Sequence, residues 1–258
     1  MIGGLRSPIQ QSNTSMFNIK ENGIPDLSTK NIDGKRHYLV PDPRTGETDA
    51  LAYPSITTLL GWFSSAGISK WRDRIGHEEA NKITAQASRR GTAVHKIVED
   101  YITNKITLLE DYMMDVMPTF KADFLKFKPI IDKHIGDIYG IETALWSHRL
   151  HVAGRSDCIA EWDGELSVLD WKTSRKLKKK EHIEGYFLQG TFYAKAYEEL
   201  TGHKIHKLHI IMVPEAEEPH VFTENVDDWV PKLEQRISKW YKDVKKLNLP
   251  ELEDSGII

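Results

Sequence analysis

The chain contains a single cysteine, Cys158, among its 258 residues. One thiol cannot form a disulfide within the chain, and it cannot supply the four thiolates that hold an iron–sulfur cluster. A protein without disulfides suits a reducing compartment. We therefore expect an intracellular, cytoplasmic protein that carries no iron–sulfur cluster.

Long hydrophobic runs are also missing from the sequence. A helix that crosses a membrane needs about 18 or more consecutive apolar residues, and no stretch approaches that length. Residues 1–16 lack the apolar segment of a secretory signal, and we expect them to be irregular. The remaining length is enough for one large domain, or for a core with appended helices.

The sequence lacks the excess of positive charge that is typical of proteins coating nucleic acid, since its formal net charge is −3. A local basic groove is still compatible with this value, because binding depends on where the charges lie. One basic stretch stands out at residues 172–180, where six of nine residues are Lys or Arg. Such a run is usually a solvated loop, and contact with phosphates is the alternative interpretation.

Residues 150–174 contain two runs of β-type residues on either side of Asp163-Gly164. An Asp-Gly pair between such runs predicts a hairpin with a type I′ turn, which needs positive φ at both central residues. If these two residues form the loop, Asp157 on the first strand falls opposite Asp170 on the second. Side chains on one face of a strand repeat every second residue, so Lys172 should project from the same face as Asp170.

Two carboxylates that face each other repel and are costly to bury. A divalent cation would offset that cost, because hard cations take carboxylate oxygens as ligands. Lys172 would then lie where it can hold or deprotonate a metal-bound water. The alternatives are an exposed hairpin with ordinary surface charges, or a bulge that shifts the register.

The pattern of Ser156-Asp157 followed by Asp170-Trp171-Lys172 resembles the PD-(D/E)XK nuclease superfamily, with Ser156 in the place of the proline. More narrowly, GRSD at 154–157 and LDWKTS at 169–174 are similar to the RecB-type branch. Over roughly residues 53–200 the likeness extends to the mitochondrial genome maintenance exonuclease and related phage exonucleases. The resemblance implies an α/β fold with a restriction-endonuclease-like core, in which helices flank a mixed β-sheet, with an N-terminal hairpin and helical additions.

The secondary-structure signals agree with such a fold. Residues 35–53 favour a hairpin around a turn-rich PDPRTG segment, and Ser55 is a plausible N-cap for a helix beginning at Ile56. Residues 69–104 are predicted to be helical in two pieces, broken near Arg90-Gly91. The rest is predicted as helix at 105–137, strand at 139–148, helix at 182–202, strands at 206–213 and 220–226, and helix at 227–247. We expect an N-terminal extension and hairpin at 1–52, a nuclease domain at 53–250 and a C-terminal tail at 251–258.

Further likenesses to RecB-type nucleases lie outside the hairpin. His95, within RGTAVHKIVE, stands where these nucleases have a metal-ligating histidine, and Glu142 precedes Asp157 by the same fifteen residues as a glutamate in the close relatives. Gln189 and Tyr193 are four apart, and such a pair shares a helix face; Gln-x-x-x-Tyr is another feature of the branch. Ordinary roles remain open for each of them: a packing histidine, a strand-edge glutamate and a core tyrosine.

The resemblance implies three groups of site residues. The catalytic group is Asp157, Asp170 and Lys172. The metal-binding group is His95, Asp157, Asp170, the backbone carbonyl of Trp171, and Glu142. The DNA-binding group is Ser55, for which helix capping is the main alternative, with Thr57, Arg90, Thr173, Ser174, Gln189 and Tyr193.

The function that the resemblance implies is that of a metal-dependent DNA exonuclease. It would use Mg²⁺ or Mn²⁺ to hydrolyse phosphodiester bonds from free ends of single-stranded DNA, and a phage-encoded enzyme acting in the host cytoplasm is one form it could take. The alternatives are an endonuclease or duplex-preferring nuclease of the same superfamily, and a non-catalytic DNA-binding subunit with the same fold. The intact Asp157, Asp170 and Lys172 argue against the non-catalytic subunit. DNA is the expected partner, no membrane is expected, and protein partners are unknown.

Overall fold

In the computed structural model, which describes residues 16–246, eight strands form two sheets. The strands are β1 Thr29–Ile32, β2 Lys35–Val40, β3 Leu51–Pro54, β4 Ile135–Ser147, β5 Val152–Trp162, β6 Glu165–Ser174, β7 Lys207–Pro214 and β8 His220–Asn225. The first three form a small antiparallel sheet, and the last five form the central sheet in the order β4-β5-β6-β7-β8. Within the central sheet β6 and β7 run parallel, while the other neighbours are antiparallel. The predicted mixed sheet is therefore confirmed.

Helices cover both faces of the central sheet. They are α1 Ile56–Ile75, α2 His77–Ile102, α3 Leu109–Tyr112, α4 Pro118–His134, α5 Glu184–Thr201 and α6 Val226–Lys246. Because side chains alternate along a strand, Ile159 and Val168 point into a core with α1, α5 and α6, whereas Cys158 and Leu169 point into a second core with α2 and α4. Among the described residues, no helix is both long and apolar enough to cross a membrane.

The hairpin of β5 and β6 has the predicted turn and register. Asp163 and Gly164 both have positive φ, of 52° and 85°, as a type I′ turn requires. The pairing then runs outward from Trp162 opposite Glu165 to Cys158 opposite Leu169. One step further, at Asp157 and Asp170, the pairing of β5 with β6 has ended. Beyond this point β5 pairs with β4, and β6 pairs with β7. The two aspartates are thus next in register, but they lie beyond the end of the hydrogen-bonded ladder.

The predicted helix break near Arg90-Gly91 was wrong. Helix α2 runs through both residues, and the break falls at Gly76, whose φ of +89° suits glycine. Arg90 does not end a helix; its guanidinium is buried against Asp123 of α4. A long-range ion pair of this kind leaves no mark in the local sequence pattern.

The segment before α1 differs in detail from the prediction. Strand β2 has the predicted bounds, but an additional strand, β1, turns the predicted hairpin into a three-stranded sheet. Helix α1 begins at Ile56 as predicted, yet Ser55 makes no capping bond with its side chain. Its hydroxyl instead bonds the hydroxyl of Thr57 at 2.7 Å.

The segment predicted as one helix at 105–137 consists of α3, a 3₁₀ turn at Met113–Asp115 and α4, with β4 beginning at Ile135. Two predictions fall outside the described residues: the irregular N-terminus, apart from Met16, and the tail at 251–258. The division into extension, nuclease domain and tail stays a prediction.

Candidate active site

Three elements meet beside the residue that separates Asp170 from Lys172. Asp157 of β5 accepts a hydrogen bond from the backbone N–H of Trp171, at 3.0 Å. His95 of α2 places Nε2 at 2.6 Å from the carbonyl oxygen of Trp171 and Nδ1 at 3.6 Å from the carboxylate of Asp157. The predicted metal-binding groups of α2, β5 and β6 are therefore neighbours in space.

Glu142 of β4 completes the group. One ligand atom from each of His95, Glu142 and Asp157 lies within 4.8 Å of the others. Glu142 has a φ of +47°, an unusual backbone for a residue with a side chain in a strand. Burial and, after it, the negative charge of Asp157 raise the pKa of the Glu142 carboxyl to about 7. The strained backbone and the cost of ionising a buried carboxyl both destabilise the folded state. Features of this kind cluster at functional sites.

Next to this group, the buried Asp170 forms an ion pair with the partly buried Lys172. The Asp170 side chain is only 3% exposed, and Lys172 Nζ lies 2.7 Å from each of its carboxylate oxygens. Burial would lower the pKa of Lys172, but the charges of Asp170 and Asp157 outweigh it and hold the pKa above its ordinary value. For Asp170, burial raises the pKa against the opposing effect of Lys172. Lys172 is therefore an ammonium ion at neutral pH.

The residues present suit a divalent cation. The carboxylates of Asp157 and Asp170 both act on the ammonium of Lys172, and the Glu142 carboxyl lies close to Asp157, so acidic groups outnumber the one ammonium. Asp170 Oδ2 is buried and, although Lys172 Nζ is near, it makes no hydrogen bond of good geometry among the described residues. Carboxylate oxygens with one imidazole form a donor set that Mn²⁺ and Mg²⁺ accept. Asp170 is the one predicted side-chain ligand that lies outside the close group of three.

Tyr193 braces the strand that carries Asp157. Its side chain is 1% exposed, and its hydroxyl accepts a hydrogen bond from Gln189 at 3.0 Å. A Cβ added to Gly154 would lie 2.8 Å from the Tyr193 ring and 2.9 Å from Ile56. Glycine in the GRSD segment therefore lets α5 and α1 approach β5 closely, just before the acidic residue.

A family comparison decides the class of protein. The model of the PD-(D/E)XK nuclease superfamily matches residues 117–254, which is more than half of the chain. The chain belongs to the PD-(D/E)XK nuclease superfamily. Its mixed sheet with flanking helices is accordingly the restriction-endonuclease-like fold that the sequence predicted.

Individual proteins and one solved structure are also similar to part of this chain. Mitochondrial genome maintenance exonuclease 1 of Homo sapiens is 28% identical over 130 residues, covering 48% of this chain and 34% of that protein. The same-named protein of Mus musculus is 26% identical over 135 residues, covering 48% and 38%. The chain thus spans little more than a third of the length of these curated relatives. A solved structure from Eubacterium rectale matches 64% of this chain and 72% of that one, at 15% identity and a TM-score of 0.40.

Two of the predicted DNA-binding residues line a cleft that also includes Tyr186, whose ring lies near Lys172. Thr57 of α1 and Gln189 of α5 border an open space of about 500 Å³, which Arg236 of α6 also borders. Ser55 is buried and bonded to Thr57 below this space. The cleft is therefore bounded by the helices that pack on the Ile159 and Val168 face of the sheet.

Arg90 is buried and hydrogen-bonded within the protein. Its guanidinium bonds both carboxylate oxygens of Asp123, at 2.6 and 2.8 Å, and also bonds Glu215 and the carbonyl of Ser174, each at 2.9 Å. This geometry favours a structural role at the end of β6. Most N–H donors of Arg90 are used within the protein, and we do not propose it as a DNA contact.

The two residues after Lys172, which are Thr173 and Ser174, lie beside Arg90 and Gly91 of α2. The Ser174 hydroxyl donates to the carbonyl of Lys176 at 2.8 Å, and Thr173 lies beside Gly91 of α2. The basic stretch that follows is exposed, although Lys178 bonds the hydroxyl of Tyr186 and Lys180 pairs with Glu224. The positive charge of residues 175–180 therefore lies on the surface, directly after the ion pair.

Tyr186 was missed by the sequence analysis. Lys172 Nζ and Lys178 Nζ each lie 5.1 Å from the centre of its ring, so the ring is flanked by two ammonium groups. The available signal was its spacing from Gln189, since residues three apart share a helix face. Tyr186 and Gln189 both border the cleft.

Proposed function

We propose that the protein is a metal-dependent DNA exonuclease that hydrolyses phosphodiester bonds from free ends of single-stranded DNA. The observation that carries this proposal is that His95, Glu142 and Asp157 lie together beside the ion pair of Asp170 and Lys172. Membership of a nuclease superfamily supports hydrolysis. The mammalian relatives are named as exonucleases, and this favours the exonuclease form for the present chain, which matches about a third of their length.

Asp157, His95 and Glu142 would hold Mg²⁺ or Mn²⁺, with Asp170 and the Trp171 carbonyl as further ligands. When bound, such a cation polarises the phosphoryl oxygens and makes water a better nucleophile near neutral pH. Without the cation, the carboxylates of this group repel one another. The cation would therefore stabilise the folded site as well as serve the reaction.

Lys172 stabilises the negative charge that develops on the phosphodiester. Its pKa is raised, so it remains protonated at neutral pH and acts as a charged hydrogen-bond donor, not as a base. Asp170 fixes the position of this ammonium at 2.7 Å, and the Tyr186 ring lies on another side of it. One oriented donor of this kind is worth about 3 kcal/mol, or a few hundredfold in rate.

The DNA strand would approach through the cleft between α1, α5 and α6. Thr57 and Gln189 offer polar groups there, and Tyr186 offers an aromatic ring. Aromatic rings bind unpaired bases by stacking, whatever the sequence. The exposed Arg175, Lys176 and Lys179 would contact phosphates, which position a strand without reading its bases.

The experiment that tests the proposal compares linear and circular single-stranded DNA of equal length, each with Mg²⁺ or Mn²⁺. We expect the linear strand to be degraded, the circle to stay intact, and EDTA to stop the reaction. Lys172→Met, purified in parallel, should be inactive on the linear strand. Cutting of the circle would favour an endonuclease, and DNA binding without metal-dependent cleavage would favour the non-catalytic subunit.

A further inference from the structure

Glu142 owes its place in the candidate metal site to an unusual backbone. The pairing of β4 with β5 shifts register twice, between Ile135 and Ile138 and between Ile138 and Gly140. Glu142 follows two residues later with a φ of +47°. Irregularities of this kind redirect a side chain next to a site. A non-glycine residue keeps a left-handed backbone only where its surroundings hold it there.

Arg155 contacts that backbone directly. Its guanidinium donates a hydrogen bond to the carbonyl oxygen of Glu142 from the neighbouring strand, where Arg155 pairs with Ala144. The same guanidinium forms an ion pair with Asp26, at 2.6 Å. Arg155 therefore joins the strained residue to a segment more than a hundred positions earlier in the chain.

The segment that carries Asp26 follows the edge of β4. We call residues 18–26 the N-terminal strap. Its backbone exchanges hydrogen bonds with Ile138, at 2.7 and 2.9 Å, and the Asn22 side chain donates to the carbonyl of Tyr139 at 2.6 Å. The strap thus runs beside the irregular part of β4 and ends at the Asp26–Arg155 pair.

We propose that Arg155 is a positioning residue for the metal site. It holds the left-handed backbone of Glu142, so that the carboxylate joins His95 and Asp157, and Asp26 of the strap holds Arg155 in place. The inference rests on the metal site of the proposed function and adds the residues that shape it. Because partly exposed ion pairs contribute little to stability, the main effect of losing Arg155 should fall on cation affinity.

The test is calorimetric titration of the full, metal-free chain with Mn²⁺. Arg155→Met should weaken Mn²⁺ binding by about tenfold or more, the size of effect seen when a group that orients a ligand is removed. Arg155→Lys and Asp26→Asn should show smaller losses in the same direction. The matched control is Arg149→Met, because Arg149 is an exposed arginine that pairs with Glu234 away from the site. The Mn²⁺ affinity of this variant should equal that of the wild type.

A second background separates positioning from a general structural role. In Glu142→Gln, Arg155→Met should cause no further loss of Mn²⁺ affinity, because the group that Arg155 positions is already gone. An equal loss in both backgrounds would overturn the inference. Circular dichroism and thermal unfolding establish which variants fold, and Arg155→Lys and Asp26→Asn carry the test if Arg155→Met does not fold.

The two proposals fail in different ways. If the wild-type chain binds no Mn²⁺, the metal site itself is wrong, and this inference falls with it. If the wild-type chain binds Mn²⁺ and Arg155→Met binds it equally well, only the positioning role is wrong.

Discussion

The carboxylate of Asp157 accepts a hydrogen bond from the backbone N–H of Trp171, 3.0 Å away. Trp171 stands between Asp170 and Lys172, so this bond fixes the acidic residue of one strand to the acidic and basic pair of the next. The hydrogen-bonded ladder of the hairpin ends one step earlier, at Cys158 and Leu169. The side chain of Asp157 therefore makes the link that the backbone no longer makes.

Loss of Lys172 should remove cleavage and leave the binding of DNA. Lys172→Met is expected to lower kcat by about a few hundredfold or more, because the charge that develops on the phosphate loses one oriented, charged donor. Asp157→Ala and Asp170→Ala should likewise abolish cleavage. Single-turnover digestion of end-labelled DNA measures the rate, and fluorescence anisotropy measures affinity.

The matched control for these variants is Lys179→Met. Lys179 is an exposed lysine of the basic stretch after the ion pair. Its loss should weaken DNA binding and leave kcat unchanged. Turnover at the wild-type rate by Asp157→Ala, Asp170→Ala or Lys172→Met would remove the catalytic assignment.

His95→Ala should impair activity and change the dependence on the metal. The imidazole of His95 lies beside Asp157 and the Trp171 carbonyl, so its loss removes one donor from the proposed cation site. We expect more Mn²⁺ to be needed for half-maximal rate, and the enzyme to lose more activity with Mg²⁺ than with Mn²⁺. A metal titration that superimposes on that of the wild type would show that His95 is no ligand.

Glu142→Gln should stabilise the metal-free protein in a pH-dependent way. The carboxyl pKa is raised from 4.5 to about 7 in the folded state, first by burial and then by Asp157. Ionisation of this carboxyl therefore destabilises the folded state progressively as the pH rises from 4.5 to about 7, and fully above that value. At pH 8 the variant should gain about 2 kcal/mol, less than the full shift because solvent screens a partly exposed group.

Urea unfolding in EDTA at pH 8 and pH 5 measures this gain. At pH 5 the difference between wild type and Glu142→Gln should fall to about a quarter of its value at pH 8. In Mn²⁺ at pH 8 the wild type should recover stability, and the variant should recover less. The same difference in unfolding free energy at both pH values would mean that ionisation of the Glu142 carboxyl does not destabilise the folded state.

His209 should make the fold sensitive to mild acid. Its ring is buried, stacks on Trp162 with 4.5 Å between centres, and bonds Thr223 at 2.9 Å. Burial lowers its pKa from 6.5 to about 4, so the unfolded chain binds the proton first as the pH falls from 6.5 to 4. The folded state should lose up to about 3 kcal/mol over that window through this residue.

His209→Gln should show a smaller loss of unfolding free energy between pH 7.5 and pH 4.5 than the wild type. The control is His203→Gln, which changes an exposed histidine and should leave the pH dependence as it is. Equal pH dependence in wild type and His209→Gln would contradict the assignment.

The sequence carried the parts of the site that depend on local geometry. The Asp163-Gly164 turn sets the register of the hairpin, and that register alone brings Asp157 and Asp170 to adjacent positions. His95 was identified through its likeness to a family motif, and the structure places it against Asp157.

What the sequence did not show depends on contacts between distant segments. The carbonyl bond from Arg155 to Glu142 and the pair with Asp26 involve a main-chain atom and an exposed side chain, so no residue pattern announces them. Both Gly76 and Gly91 are glycines at which the local sequence permits a helix to end. Only the long-range contact of Arg90 with Asp123 accounts for a helix that continues through Gly91 and breaks at Gly76.

The most direct measurement is anomalous X-ray scattering from crystals of the wild-type protein soaked in Mn²⁺. An anomalous peak bordered by Asp157, His95 and Glu142 and adjacent to Asp170 is expected, and it should disappear in Asp157→Ala. Well-ordered side chains with no peak among these residues, or a peak at a different place in the fold, would contradict a metal-dependent nuclease site here.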